Sequence, residues 1–241
     1  MRLTGRSRWA ALIVPLACLG LVGCPGSTKP PAIPASTRVP AGLEGIPAGA
    51  IAHRIDAAAS GIAIEVYRGG PLASMGHNHV ITATEISGHV YLAPVLAQSA
   101  FDLEVPISSL VVDDPDARRA AGEGFPPDLP AEARQATRRN MLGVEVLAAD
   151  DHPTVRLRSV AISGDRPQLR VTAAMTLRGV TREIEVPVDV QSIGGPLRLS
   201  GAFALRQSDY GITPFSVALG ALTVRDEVRI RFDLVAIPQS H

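Results

Sequence analysis

The chain has 241 residues, 23 basic and 23 acidic side chains, 46% hydrophobic residues and two cysteines. The balanced charge, carried by scattered arginines with Lys29 as the only lysine, excludes the basic excess or stripe of a nucleic-acid binder. A chain of this length buries enough surface to fold without disulfides.

The amino terminus comes first. "MRLTGRSRWA" carries Arg2, Arg6 and Arg8 and no acid, and the apolar run "ALIVPLACLGLVG" follows at once. A basic stretch before a short apolar run is the pattern of a secretory signal, and the run is too short for a membrane span. It ends in "LVGC", which resembles the lipobox of bacterial lipoproteins. The expectation is a signal peptide over residues 1–23 and acylation at Cys24. Cys18 would leave with the signal, so the exported part keeps no free thiol. Pro25 rather than an aspartate follows the cysteine, so the inner-membrane retention signal is missing. The expected location is the bacterial cell envelope, lipid-anchored on the periplasmic face, with the outer membrane favoured. Removing residues 1–23 takes away three arginines and no acid, leaving 20 basic against 23 acidic residues.

Residues 24–50 are rich in Pro, Ala, Gly and Ser and show no hydrophobic period; they read as a tether. A single folded domain is expected over residues 51–241. Its segments alternate apolar and polar residues, the period of half-buried strands. Early candidates are residues 61–67, 79–86, 89–93, 100–112 and 154–163. In "TVRLRSVAI" the pattern changes parity after Leu157, which predicts a bulge. The clearest strand is "QLRVTAAMTLRG", with Leu169, Val171, Ala173, Met175 and Leu177 on one face. "TREIEVPVDVQ", "PLRLSGAFALRQ" and "DEVRIRFDLVA" repeat the pattern, and the short turns between them predict antiparallel hairpins. "PPDLPAEARQATRRNML" predicts one surface helix, with Asp128 as its N-cap. About eight to ten one-faced strands must close into a barrel or stack as a sandwich, and periodicity does not separate the two.

No catalytic motif is present: there is no Gly-x-Ser-x-Gly elbow and no glycine-rich phosphate loop. "ASMGHNHVI" places His77 and His79 on one face of an extended segment, a permissible pair of metal ligands. A stable zinc site needs a third or fourth ligand, which His89 or His152 could supply only if the fold brings them close. Asp113, Asp114 and Asp116 in "VVDDPDARR" read as a solvated acidic loop without the glycine and distal glutamate of an EF-hand.

Several segments together resemble one family. "MTLRGVTREIEVPV", Met175 to Val188, is similar to the signature hairpin of the YceI-like (polyisoprenoid-binding) proteins. "RQSDYGI" at Arg206 resembles that family's Arg-x-x-[Asp/Glu]-[Phe/Tyr]-Gly-Ile segment, and "VRDEVRIRFDLVA" resembles its closing strand. "RRNMLGVEVLAADDHPTVRLRS" and "RIDAAASGIAIEV" match further parts in the same order. The chain departs from the family pattern at Asn140 and in the glycine-rich loop before His77. The resemblance implies an all-β fold, a single antiparallel lipocalin-like barrel of about eight strands with the helix inserted on its surface. It also implies an exported, non-enzymatic protein that binds an isoprenoid chain or quinone in an apolar lumen.

On that reading the inward residues would line the lumen: Ile62, Ile64, Val66, Leu169, Val171, Met175, Ile184, Val186, Val188, Leu199, Phe203, Ile230 and Phe232. His77, His79 and Arg206 would meet the head group at the mouth. No cofactor is expected beyond a bound isoprenoid lipid or quinone. The expected partners are that ligand and, through acylated Cys24, the membrane. Two alternatives stand beside it: a metal-binding envelope protein using His77 and His79, and a filled barrel acting only as an interaction module.

Overall fold

The computed structural model describes residues 46–192 and 195–239. The expected signal peptide over residues 1–23, acylated Cys24 and most of the expected tether over residues 24–50 lie outside the described residues.

Among the described residues, twelve strands and two α-helices succeed one another. The strands are β1 (Ile51–Ile55), β2 (Gly61–Gly69), β3 (His79–Ala83), β4 (Ser87–Leu92), β5 (Ala100–Pro106) and β6 (Leu110–Val112). After the helices α1 (Pro115–Ala121) and α2 (Ala131–Leu142) come β7 (Thr154–Asp165), β8 (Gln168–Leu177), β9 (Val180–Ser192), β10 (Leu197–Arg206), the short β11 (Ser216–Val217) and β12 (Leu222–Pro238).

All neighbours pair antiparallel, and the sheet closes on itself because β12 pairs with both β1 and β2. The wall is an eight-stranded meander in chain order, in which three members are broken at one level. β1 and β2 form the first broken wall strand, β3 and β4 the second, β5 and β6 the third. β7, β8, β9, β10 and β12 complete the ring. Closure removes the exposed sheet edges that an open sheet would carry.

Hydroxyls take over where the ladder is interrupted. Ser60 Oγ accepts the Val235 amide at 2.9 Å, Thr84 Oγ1 donates to the Ser109 carbonyl at 3.0 Å, and Ser109 Oγ donates to the Pro106 carbonyl at 2.7 Å. The second residue of β4 is Gly88, whose φ is +135° and where a Cβ would stand 2.0 Å from the Asp102 carbonyl oxygen. Only glycine fits there. The expected bulge in β7 is present, with the register to β8 shifting between Ser159 and Ala161. The β9–β10 ladder stops at Ser200 opposite Asp189, next to Pro187, which has no N–H to give.

The expected single helix is two. α2 starts at Ala131 after Pro130, and Asp128 does not cap it. α1 replaces the expected acidic loop. Asp114 accepts from the amides of Asp116 and Ala117, and Pro115 occupies the first turn, which is a favourable helix start. The connection through the helices covers the wall where β7 pairs with β5 but, among the described residues, not with β6. Met141 at the end of α2 packs into the core there.

The strand sequences put one face inward, as in β8, where Leu169, Val171, Ala173, Met175 and Leu177 are buried. Three hydrophobic clusters span the barrel from end to end, with every buried member between Ile55 and Ala236. Among the described residues, wall and core thus lie between residues 51 and 238, and the part from residue 46 onward constitutes a folding unit. We call the end holding the β7–β8 turn the turn end. The end holding α1, α2 and the β8–β9 turn is the helix end.

Candidate functional site: an apolar lumen and a charged collar

The inward faces leave a cavity of about 270 Å³ running from one end of the barrel to the other. At the turn end it reaches Leu96, Ser99 and Arg166; at the helix end it reaches Val146, Gln207 and Ile212. Ser99, Arg166 and Gln207 are its only polar lining side chains among the described residues. Apolar cavities of this kind stay dry. An empty 150 Å³ apolar cavity holds benzene, so this lumen admits on the order of ten carbons without rearrangement.

The sequence-predicted lining positions on β2, β8, β9, β10 and β12 meet in this cavity: Ile62, Ile64, Val66, Leu169, Val171, Met175, Val186, Val188, Leu199, Phe203, Ile230 and Phe232. Ile184 does not reach it; its side chain packs between two of the core clusters. Phe203 and Phe232 stand 6.5 Å apart, centroid to centroid. Gly201 makes room for Phe232, whose ring would lie 2.7 Å from a Cβ there.

A different chemistry rings the helix end. Asp113 and Arg118 are both fully buried. Arg118 donates to Asp113 Oδ1 at 2.5 Å, to the Asn78 carbonyl at 2.7 Å and to the Pro126 carbonyl at 2.6 Å. His79 Nδ1 donates to Asp113 Oδ2 at 2.6 Å, and the Val80 amide donates to Asp113 Oδ1 at 3.0 Å. Burial opposes ionisation of Asp113, but the His79 hydrogen bond and charge, the Val80 amide and Arg118 outweigh it. The carboxyl sits below the usual carboxylate range. Asp113 itself holds a left-handed φ of +56°, a conformation Asp tolerates better than most residues.

Asn78 is the bolt between the two histidines. Its Oδ1 accepts the Arg68 amide at 3.1 Å and its Nδ2 donates to the Gly124 carbonyl at 3.0 Å, tying β2 to the loop after α1. Phe125 from that loop meets Tyr67 edge to face at 5.6 Å. Tyr67 donates to Glu65 Oε2 at 2.6 Å, and Glu65, 3% exposed, pairs with Arg231 at 2.6 Å.

The predicted mouth residues are not brought together as one group. His77 is exposed, His79 is held by Asp113, and Arg206 lies exposed in the ladder opposite Glu227. His89 stacks on Tyr91 within β4, and His152 lies against Gly179. Among the described residues, no group of three or more His, Cys, Asp or Glu side chains could hold a metal ion. The polar lining residues that sequence reasoning missed are Gln207, next to the predicted Arg206, and Ser99 and Arg166 at the turn end. No periodic signal marks them, because all three lie outside the strands. The pairing of Asp113 with Arg118 was equally hidden, although the "DDPDARR" run carries both partners and a Pro at a helix start.

The YceI-like domain model matches residues 53–236. The chain belongs to the YceI-like family. Among solved structures it is similar to BcnA of Burkholderia cenocepacia, with a TM-score of 0.57 and 20% identity over 75% of this chain and 98% of that one. It is also similar to the YceI protein of Campylobacter jejuni, with a TM-score of 0.48 and 13% identity over 67% of this chain and 85% of that one. No curated protein matches. The likeness to BcnA shows a shared barrel fold.

Proposed function

We propose that this protein binds a slender apolar molecule of the isoprenoid class along the barrel lumen, as a carrier or store rather than an enzyme. The observation that carries the reading is the elongated lumen of about 270 Å³ with polar side chains only at its two ends. Such a space suits a chain with a polar head at a mouth. Each buried methylene contributes about 0.8 kcal/mol, so ten carbons contribute roughly 8 kcal/mol before the costs of association. Longer chains would leave their remaining units outside the barrel. Family membership supports the isoprenoid class. The sequence supports export and anchoring through Cys24, which would hold the barrel beside the membrane where such molecules reside.

The test is native mass spectrometry of residues 46–241, purified from a bacterial host without detergent, followed by organic extraction and metal analysis of the same sample. A bound mass that extracts as a prenyl lipid or quinone is the expected result. A protein that stays empty on incubation with prenyl alcohols and quinones would overturn the reading. Stoichiometric zinc or copper in an empty barrel would move the function to the histidines.

A further inference from the structure

Beyond the bulge in β12 the wall leaves the barrel. Val224 pairs with Arg68 and Val228 with Val66, so three residues of β12 face one of β2. A bulge of this size bends the strand and re-aims the residues beyond it. The re-aimed piece is a tip made of two loops, residues 69–76 and 212–224. They are joined by the Leu72 amide on the Ala221 carbonyl at 2.8 Å and by the pairing of Gly69 with Thr223, while the second loop is closed on itself by the Val224 amide on the Phe215 carbonyl at 2.8 Å and by the β11–β12 ladder.

Neither loop contains a charged residue. Together they expose Leu72, Met75, Phe215, Val217 and Leu219. Met75 is 72% exposed and Leu219 is fully exposed, held out at a φ of +56°. None of the five lines the lumen or belongs to a core cluster. Arg68, directly before the first loop, and Arg225, directly after the second, stand side by side at the base of the tip; Asp209 precedes the second loop by three residues, and Asp226 follows Arg225 and is held by Ser208. Arg68 donates to the Gly76 carbonyl at 2.5 Å, and Arg225 lies 5.9 Å over the Tyr67 ring. The tip adjoins the helix-end mouth, because Gln207, which lines the lumen, donates to the Arg225 carbonyl at 2.8 Å.

We infer that this tip inserts into the interfacial layer of a lipid bilayer, seating the helix-end mouth of the barrel on the membrane surface. Two features select a bilayer over a protein partner. The side chains protrude singly from loops instead of forming a face or groove, which suits a deformable solvent. An apolar, charge-free cap above two arginines matches the layering of acyl chains below phosphate head groups. The inference stands on the tip alone and does not require the lumen to be filled.

The experiment uses residues 46–241, which contain no tryptophan because Trp9 is the only one in the chain. Phe215→Trp places a fluorophore in the tip, and Val95→Trp places one among exposed residues of the turn end. The vesicles contain phosphatidylethanolamine and phosphatidylglycerol. On them the emission of the Phe215→Trp variant is expected to shift to the blue and to be quenched by brominated lipids. The emission of the Val95→Trp variant is expected to stay unchanged. Sedimentation with the same vesicles measures the partition coefficient. Met75→Gln with Leu219→Asn is expected to lower it at least tenfold, and Arg225→Gln to lower it on anionic but not on neutral vesicles. Asn is well accommodated at the left-handed φ of position 219, so the double variant should fold, and its circular dichroism checks this. Absence of binding by the unaltered protein, equal binding by the folded double variant, or a blue shift in the Val95→Trp variant alone would overturn the inference. So would a concentration-dependent dimer in sedimentation velocity that the double variant dissolves, since the tip would then belong to a second copy.

Discussion

The lumen and the collar at its helix end are built from opposite materials. The lumen has side chains that make no directional bonds and leave space between them. The collar has side chains that fill their space and satisfy nearly every polar atom. In the lumen, Val, Leu, Ile and Phe line a cavity of about 270 Å³. In the collar, the fully buried Asp113 and Arg118 are fixed by five hydrogen bonds, one to each other and four to His79, Val80, Asn78 and Pro126. The difference teaches where this barrel keeps its conformational specificity. A non-directional wall tolerates a ligand of variable shape, and the directional bonds that position the mouth lie outside it.

Breaking the collar should have the largest effect. Asp113→Asn leaves Arg118 fully buried without its counter-charge, and losing one partner of a buried pair costs about 3–5 kcal/mol. Urea unfolding at neutral pH is expected to show a loss of that size. By contrast, Glu104→Gln, which breaks the half-exposed pair with Arg156, should cost under about 1 kcal/mol. The pH dependence has a definite sign. The folded-state pKa of Asp113 lies below its unfolded value. Its stabilisation is therefore fully present above the ordinary carboxylate value of about 4 and is lost as pH falls through the lower folded value. The stability gap between wild type and Asp113→Asn should narrow on acidification below about pH 4. A gap that stays constant with pH would show that the charge of Asp113 is not what holds the collar.

The lumen should respond the other way. Ala173 is 1% exposed and faces the cavity from the middle of β8. Ala173→Leu adds volume where space exists, so its stability should stay within about 1.5 kcal/mol of the parent. The same side chain narrows the passage for a ligand. Binding of an apolar fluorescent probe, or of the extracted ligand, is expected to weaken at least tenfold. A stable variant with unchanged binding would mean that the ligand does not run past β8.

How much of this was legible obeys the same division. The lumen was read from period-two alternation, because a wall with one buried face must repeat every second residue, and Leu169 to Leu177 do so with the buried Ala174 as the one exception. Ring closure was not in the pattern, since β1 and β2 both pair with β12 only after a break that alternation does not encode. Ile184 has the right parity for the lumen yet packs into the core beside it. The collar was missed because its bonds join residues distant in sequence: Asn78 Nδ2 reaches Gly124, and Asp113 reaches His79. Three aspartates in four positions look like a solvated loop. Only the fold reveals that Asp113 is buried while Asp114, one residue on, caps α1.

The smallest predicted effect lies where the two materials meet. Tyr210 is 1% exposed and packs against Met175, Leu177, Leu205 and Ile212, and its hydroxyl has no partner among the described residues. Burial first, and then the charge of Asp209, push its phenol up to about 12, so the group stays protonated and neutral at any working pH. An unpaired buried hydroxyl gains nothing and loses its water. Tyr210→Phe should therefore leave stability unchanged or raise it by up to about 1 kcal/mol, visible as a higher urea midpoint with the same slope. A loss of more than about 1 kcal/mol would mean that the hydroxyl holds a bond, most simply to an internal water. The polar order of the collar would then extend one layer further towards the lumen.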